Sequence, residues 1–148
     1  MIFVTVGTTY AFDSLVEEMD RIALKLKEKV IIQIGNSKYK PKNCQYFAFE
    51  SDLHKYLKQA RIVISHGGAG TSFEVLSMGK KLISIENHNV NDEHQRDLLT
   101  KLSKEKYVLW CKDISEIYNS IKKVDKFKFK KYVRPKCTIH EKIMEFVG

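Results

Sequence analysis

The stretch Ile62-Val63-Ile64-Ser65-His66-Gly67-Gly68-Ala69-Gly70-Thr71-Ser72-Phe73-Glu74 runs from a β-branched apolar segment, through a glycine-rich turn, into residues of helical pattern. A short apolar run without polar alternation marks a strand covered on both faces, as in a parallel sheet. The glycines let backbone N–H groups approach a guest closely, and the helix start adds free donors and the positive end of a dipole. A phosphate or diphosphate suits such a place. Neither standard fingerprint is complete: Gly68-Ala69-Gly70 lacks the third glycine of the dinucleotide motif, and no Gly-Lys-Ser/Thr makes a P-loop. A plain tight turn, with Thr71 and Glu74 as a capping box, accounts for the same residues. Spacing alone does not choose between the two.

Outward from this stretch the same alternation repeats. Strands are expected at 2–6, 30–34, 46–49, 82–85 and 107–110. Between them lie helical patterns: Leu15, Met19, Ile22, Ala23 and Leu26 share a face, Asp52 precedes Leu53, Tyr56, Leu57 and Ala60, and a helix over 71–78 stops at Gly79. A further helix starts at Asn91 or Asp92 and carries Leu98, Leu99 and Leu102, and another spans about 114–121. This pattern predicts one α/β domain over 1–148, a doubly wound parallel sheet with helices on both faces and a basic tail from about 122. Ligands on such sheets bind beyond the carboxyl ends of the strands. The loops at 7–12, 35–37, 66–71 and 86–92 are therefore the candidate site.

Each candidate there has a bland reading beside the functional one. Gly7-Thr8-Thr9 can offer N–H and hydroxyl donors to phosphate, or form a simple turn before a helix capped by Thr or Asp13. Glu74 can accept both hydroxyls of a ribose, or only close a capping box. Glu93, His94 and Gln95 can contact a bound sugar, while Asp92 and Gln95 also fit an ordinary helix cap. His66 stands at a strand end, where a core histidine is less expected.

Composition narrows the class. A 148-residue chain can bury roughly 70% of its unfolded surface, enough for one core. No apolar run approaches the roughly 18 residues of a membrane span, and the first residues have no basic region or cleavage site, so neither an anchor nor a leader is expected. Cys44, Cys111 and Cys137 are too few and too scattered for a disulfide framework or a zinc pattern. A cytoplasmic protein with free thiols is expected. The net charge is +8, yet residues 122–136 hold eight bases against Asp125 and account for +7 of it. The basicity is a local patch, which argues against a general nucleic-acid binder. Two readings of the tail stand side by side. Lys126, Lys128, Lys130 and Lys131 can hold the protein at an anionic membrane while Ile139, Ile143, Met144 and Val147 dock on a partner. Alternatively, the tail is a solvated segment and a helix packed on its own domain.

Five segments in order carry a resemblance: Val4-Thr5-Val6-Gly7-Thr8-Thr9, then Phe12-Asp13 with Leu15-Val16, Ile32-Gln33-Ile34-Gly35, Ile64-Ser65-His66-Gly67-Gly68-Ala69-Gly70-Thr71, and Asn91 with His94-Gln95. Together they resemble the C-terminal domain of family 28 glycosyltransferases. The form most similar is the one in which this domain is a separate chain, as in the two-chain dolichol-pathway N-acetylglucosaminyltransferases and small bacterial exopolysaccharide transferases. The resemblance covers the chain to about residue 102. It implies the donor half of a GT-B enzyme. A hexosyl unit, N-acetylglucosamine or another hexose, would pass from a UDP-sugar to a lipid-linked saccharide acceptor. A separate membrane-anchored subunit would bind the acceptor and hold this chain at the cytoplasmic membrane face. It further implies that Gly7, Thr8, Thr9, His66, Gly67, Gly68, Ala69, Gly70 and Thr71 surround the diphosphate, Glu74 takes the ribose, and Gln95 contacts the sugar. His94 is the local candidate for a base, with the main base expected on the partner. No cofactor, metal or nucleic acid is implied. Related sequences often have Gly-x-Pro where this one has Gly79-Lys80-Lys81, a difference expected to alter a turn only. The alternative role is a non-catalytic nucleotide-sugar-binding or enhancer subunit.

Overall fold

Strands Ile2–Thr5 (β1), Val30–Gln33 (β2) and Ile62–Ser65 (β4) are buried at every position, because their β-branched side chains feed cores on both faces of one sheet. The computed structural model describes residues 1–88 and 93–133. Strands Gln45–Phe47 (β3), Lys81–Ile85 (β5) and Leu109–Cys111 (β6) complete a six-stranded sheet of order β3-β2-β1-β4-β5-β6, with every pairing parallel. Successive side chains on a strand point to opposite faces. Ile2, Val4, Ile32, Ile62, Ile64, Ile83 and Ile85 therefore enter one core, and Phe3, Ile31, Val63 and Leu82 the other. Helices Asp13–Ala23 (α1) and Ile117–Lys123 (α5) cover the first face through Leu15, Val16, Met19, Ile22, Ile117 and Ile121. Helices His54–Gln59 (α2), Ala69–Ser77 (α3) and Glu93–Lys104 (α4) cover the second through Leu57, Val75, Leu76, Leu98, Leu99 and Leu102.

The boundaries refine the sequence reading. α3 starts at Ala69, two residues before the expected 71, with Gly68 as its N-cap residue and no side-chain cap. Its C-terminus follows expectation: Gly79 has φ +71, its N–H bonds to the Leu76 carbonyl and the Lys80 N–H to the Val75 carbonyl, a Schellman closure. Asp52 accepts a bond from the His54 N–H at the start of α2. The segment expected as one helix at 114–121 is a 3-10 turn, Ile114–Glu116, that runs into α5. The expected helix start at Asn91 or Asp92 lies outside the described residues.

The described part of the tail, to residue 133, is drawn onto the domain. Lys122 and Lys123 belong to α5, Phe129 packs on the first core, and the Tyr132 ring sits beside Phe73 and Tyr107. The Lys130 N–H bonds to the Lys106 carbonyl, and its ammonium pairs with Glu105. A groove of about 610 Å³ between this segment and the end of α3 is lined by Leu76, Met78, Tyr107 and Phe127 and bordered by Lys81 and Lys131. Arg134, Lys136, Cys137, Ile139, Ile143, Met144 and Val147 lie outside the described residues.

The β2–β3 crossover has no helix, and Asp20 on α1 takes its place. Only 1% exposed, the carboxylate accepts bonds from the Tyr39 hydroxyl (2.7 Å) and the Lys42 and Asn43 N–H groups (3.0 and 2.7 Å). Burial raises its pKa, but these bonds outweigh burial and hold it below the usual carboxylate value, while the Tyr39 hydroxyl is pushed up to about 12. A depressed folded pKa means that the contribution to stability is complete above the unfolded value near 3.9 and is lost as pH falls through the folded value. Asp20→Asn is expected to cost about 2 kcal/mol at neutral pH, as bonds to a charged group become neutral ones. In urea unfolding, the difference between parent and variant should narrow below about pH 4.

Candidate functional site

The chain leaves β1 toward one face of the sheet, to α1, and leaves β4 toward the other, to α3. Since β1 and β4 are neighbours, this divergence opens a crevice at their carboxyl ends. A cleft of about 290 Å³ lies there, walled by Gly7, Thr8, Thr9 and Tyr10 after β1 and by His66, Gly68, Gly70 and Thr71 after β4.

His66 fills the seam between the two loops. A Cβ on Gly7 would stand 2.5 Å from its Nε2, and one on Gly68 would stand 2.5 Å from its Cε1. Gly7 also has φ +80, a conformation costly for any side-chain-bearing residue. The imidazole is thus gripped between two backbones. Its Nδ1 is buried without a partner among the described residues, and burial lowers its pKa below the ordinary value. A neutral ring is therefore presented to the cleft at pH 7. The loop after β2 joins the assembly: a Cβ on Gly35 would stand 2.5 Å from the Gly7 carbonyl oxygen.

Buried hydroxyls at the strand ends tether the turns. The Thr5 hydroxyl donates to Gln33 Oε1 at 2.6 Å, and the Gly7 and Gly67 N–H groups point at the hydroxyls of Thr5 and Ser65 at 3.4 and 3.5 Å. At α3 the first helical bond runs from the Ser72 N–H to the Gly68 carbonyl. The N–H groups of Ala69, Gly70 and Thr71 therefore have no helical acceptor, and the helix dipole adds partial positive charge where they stand. The chemistry favoured here is capture of an anion by backbone donors.

Of the residues expected from sequence, Gly7, Thr8, Thr9, His66, Gly68, Gly70, Thr71 and Gln95 meet in the cleft. Gly67 is buried behind it, where an added Cβ would come 3.7 Å from Leu99, and Ala69 packs on the second core. Glu74 lies one turn along α3 from Gly70 and Thr71, exposed and not among the residues that line the cleft. The capping-box reading of Thr71 and Glu74 does not survive: the cap residue is Gly68, so Thr71 already lies inside the helix. His94 is exposed on the first turn of α4 and does not line the cleft. Six lining residues had not been named as contacts: Thr5, Val6, Tyr10, Gln33, Leu53 and Asn87. Gln33 carried a usable signal, a polar residue within an apolar strand. Leu53 carried none, since it reaches the cleft only through the placement of α2. Among the described residues no three His, Cys, Asp or Glu side chains gather as a metal site, and no helix is long and apolar enough to cross a membrane.

Comparison with known proteins agrees with this geometry. Residues 1–147 match the glycosyltransferase family 28 C-terminal domain. The UDP-N-acetylglucosamine transferase subunit ALG13 of Homo sapiens is 32% identical over 123 residues, which take in 74% of this chain and 11% of that protein. The chain thus spans about a tenth of that relative's length, 11%. The solution structure of an ALG13 superposes with a TM-score of 0.65 at 18% identity, covering 99% of this chain and 94% of that one. CalG4, the calicheamicin glycosyltransferase, superposes at 0.67 with 14% identity, covering 99% and 37%. At such identities the superpositions speak for the fold, which is that of one half of a GT-B glycosyltransferase. With the family match over nearly its whole length, and a glycine-walled cleft at the switch point, the chain belongs to the glycosyltransferase family 28 C-terminal domains.

Proposed function

We propose that this chain is the donor-binding subunit of a two-chain UDP-sugar hexosyltransferase, acting on a lipid-linked saccharide together with a membrane-anchored acceptor-binding subunit. The observation that carries this reading is the convergence of the β1 loop and the α3 N-terminus on a clamped, neutral His66. Backbone N–H groups of Gly70 and Thr71 and the α3 dipole face the place where a leaving diphosphate gains charge, which is where fixed donors accelerate transfer. The reading assigns that stabilisation to the protein backbone, with no metal or other cofactor. Leu53 and the Tyr10 ring supply apolar wall for the nucleoside, Glu74, one turn along α3 from Gly70 and Thr71, takes the ribose hydroxyls, and Gln95 reaches the sugar. N-acetylglucosamine is the first sugar to try, because a relative bears the name UDP-N-acetylglucosamine transferase subunit. The word subunit in that name also supports a partner chain. A general base for the acceptor hydroxyl is assigned to that partner, because His66 is held in the seam and His94 stands off the cleft. The exposed lysines Lys128 and Lys131 could face an anionic cytoplasmic leaflet, at about 1 kcal/mol each. Nucleic acid has no part in the reading: the rings of Phe127, Phe129 and Tyr132 are engaged within the domain.

Calorimetric titration with UDP, GDP and ADP, with and without the partner, tests the donor assignment. UDP is expected to bind at least tenfold more tightly than the other two. Sugar transfer is expected only when both chains are present. Equal affinity for the three nucleotides would overturn the donor assignment, and robust transfer by the isolated chain would overturn the division of labour.

A further inference from the structure

We propose that Asn36, outside the cleft, is a positioning residue that aims the Thr9 and Tyr10 N–H groups at the diphosphate. The Asn36 amide Nδ2 donates to the carbonyl oxygens of both Thr8 and Thr9, at 3.1 and 3.2 Å. In a trans peptide the N–H points opposite to the carbonyl of the same unit. Holding the Thr8 and Thr9 carbonyls toward Asn36 therefore turns the N–H groups of Thr9 and Tyr10 the other way. Thr8, Thr9 and Tyr10 line the cleft and Asn36 does not, so that other way is the cleft. Neither N–H has an acceptor among the described residues. The Ala11–Phe12 peptide obeys the same rule: the Ala11 carbonyl accepts from Asn87 Nδ2 at 3.0 Å, and the Phe12 N–H on its far side donates to the Ser37 hydroxyl at 2.9 Å. The Lys38 and Tyr39 N–H groups, held by Asp13 Oδ1 at 2.6 and 2.7 Å, fix the loop that carries Asn36.

The loop after β2 thus sets the donor geometry of the loop after β1. It adds two oriented N–H groups to those of α3 on the opposite wall, which suits a diphosphate more than a single small anion. Asn36 is exposed, as are Thr8 and Thr9, so water can replace its amide at the two carbonyls. Its loss should therefore leave stability nearly unchanged while the peptide planes become free to turn.

The inference rests on the UDP-donor reading, and the test separates the two. UDP and uridine are titrated into the full chain and into Asn36→Ala, by calorimetry and by amide NMR. In the parent, the Thr9 and Tyr10 amide protons are expected to shift downfield with UDP and not with uridine. Asn36→Ala is expected to lose about tenfold in UDP affinity, or about 1.4 kcal/mol, to keep its uridine affinity and melting temperature, and to lose those two downfield shifts. Unchanged UDP affinity, or equal losses for UDP and uridine, would overturn the role of Asn36. A parent that binds no UDP even with its partner would instead overturn the donor reading on which it rests.

Discussion

Gly68→Ala is expected to abolish measurable UDP binding and to destabilise the domain by about 1–3 kcal/mol, the usual cost of overpacking. The new methyl would stand 2.5 Å from His66 Cε1, and the ring has little room to shift, because it also lies so close to the β1 loop that a Cβ on Gly7 would stand 2.5 Å from its Nε2. Gly68 itself has φ −64 and ψ 140, a conformation that alanine adopts freely, so the whole penalty is the contact with His66. Removing the imidazole should therefore restore stability to Gly68→Ala. Gly7→Ala behaves differently. At φ +80 it carries a backbone penalty of about 1–2 kcal/mol that persists when His66 is gone. A double-mutant cycle by urea unfolding, with His66→Ala as the second change in each case, separates contact from backbone strain. UDP binding should stay weak in all double variants, since the imidazole is itself part of the cleft wall. Additive effects of Gly68→Ala and His66→Ala would show that the ring is not clamped.

Glu74→Gln is expected to leave stability within about 0.5 kcal/mol of the parent, as for most surface substitutions, and to reduce sugar transfer with the partner by roughly ten- to a hundredfold. The first half follows from the position of α3. The helix begins at Ala69 with Gly68 as its cap residue, so Glu74 lies in the second turn, where it closes no capping box. Its exposed carboxylate accepts no bond from another described residue and is free for a ligand. The second half follows from the strength of bonds to a charged acceptor, about 1.5–3 kcal/mol against about 1 for a neutral one. Transfer measured against UDP-sugar concentration locates the loss. An increase in KM with kcat nearly constant means that the ribose contact is made equally in ground and transition states, and a fall in kcat means that it tightens during reaction. Normal transfer by Glu74→Gln would remove this residue from the site.

The fold was legible because its strands are short, β-branched and buried on both faces. Phe3 between Ile2 and Val4, Ile31 between Val30 and Ile32, and Val63 between Ile62 and Ile64 leave no polar alternation for a half-exposed sheet to use. The glycine turn after β4 was legible as an anion site for a local reason: its donors come from adjacent residues and one helix start. Boundaries were less so. The start of α3 was misplaced because Thr71 and Glu74 have capping-box spacing, whereas Gly68, with no side chain to cap, occupies the cap position under the pressure of the His66 ring.

What the sequence by itself determined is the list of elements, the doubly wound class and the loops where a ligand would bind, since hydrophobic period and turn residues act over short range. Only the tertiary structure decided how those loops meet. Gly7, Gly35, His66 and Gly68 lie as much as sixty-one positions apart, yet a Cβ added at any of the three glycines would stand 2.5 Å from another member of this group. Asn36 reaches across twenty-eight positions to the Thr8 carbonyl. No local pattern records such contacts. They arise because parallel pairing places β2, β1 and β4 side by side, so that three loops distant along the chain emerge from one end of the sheet into the same small volume.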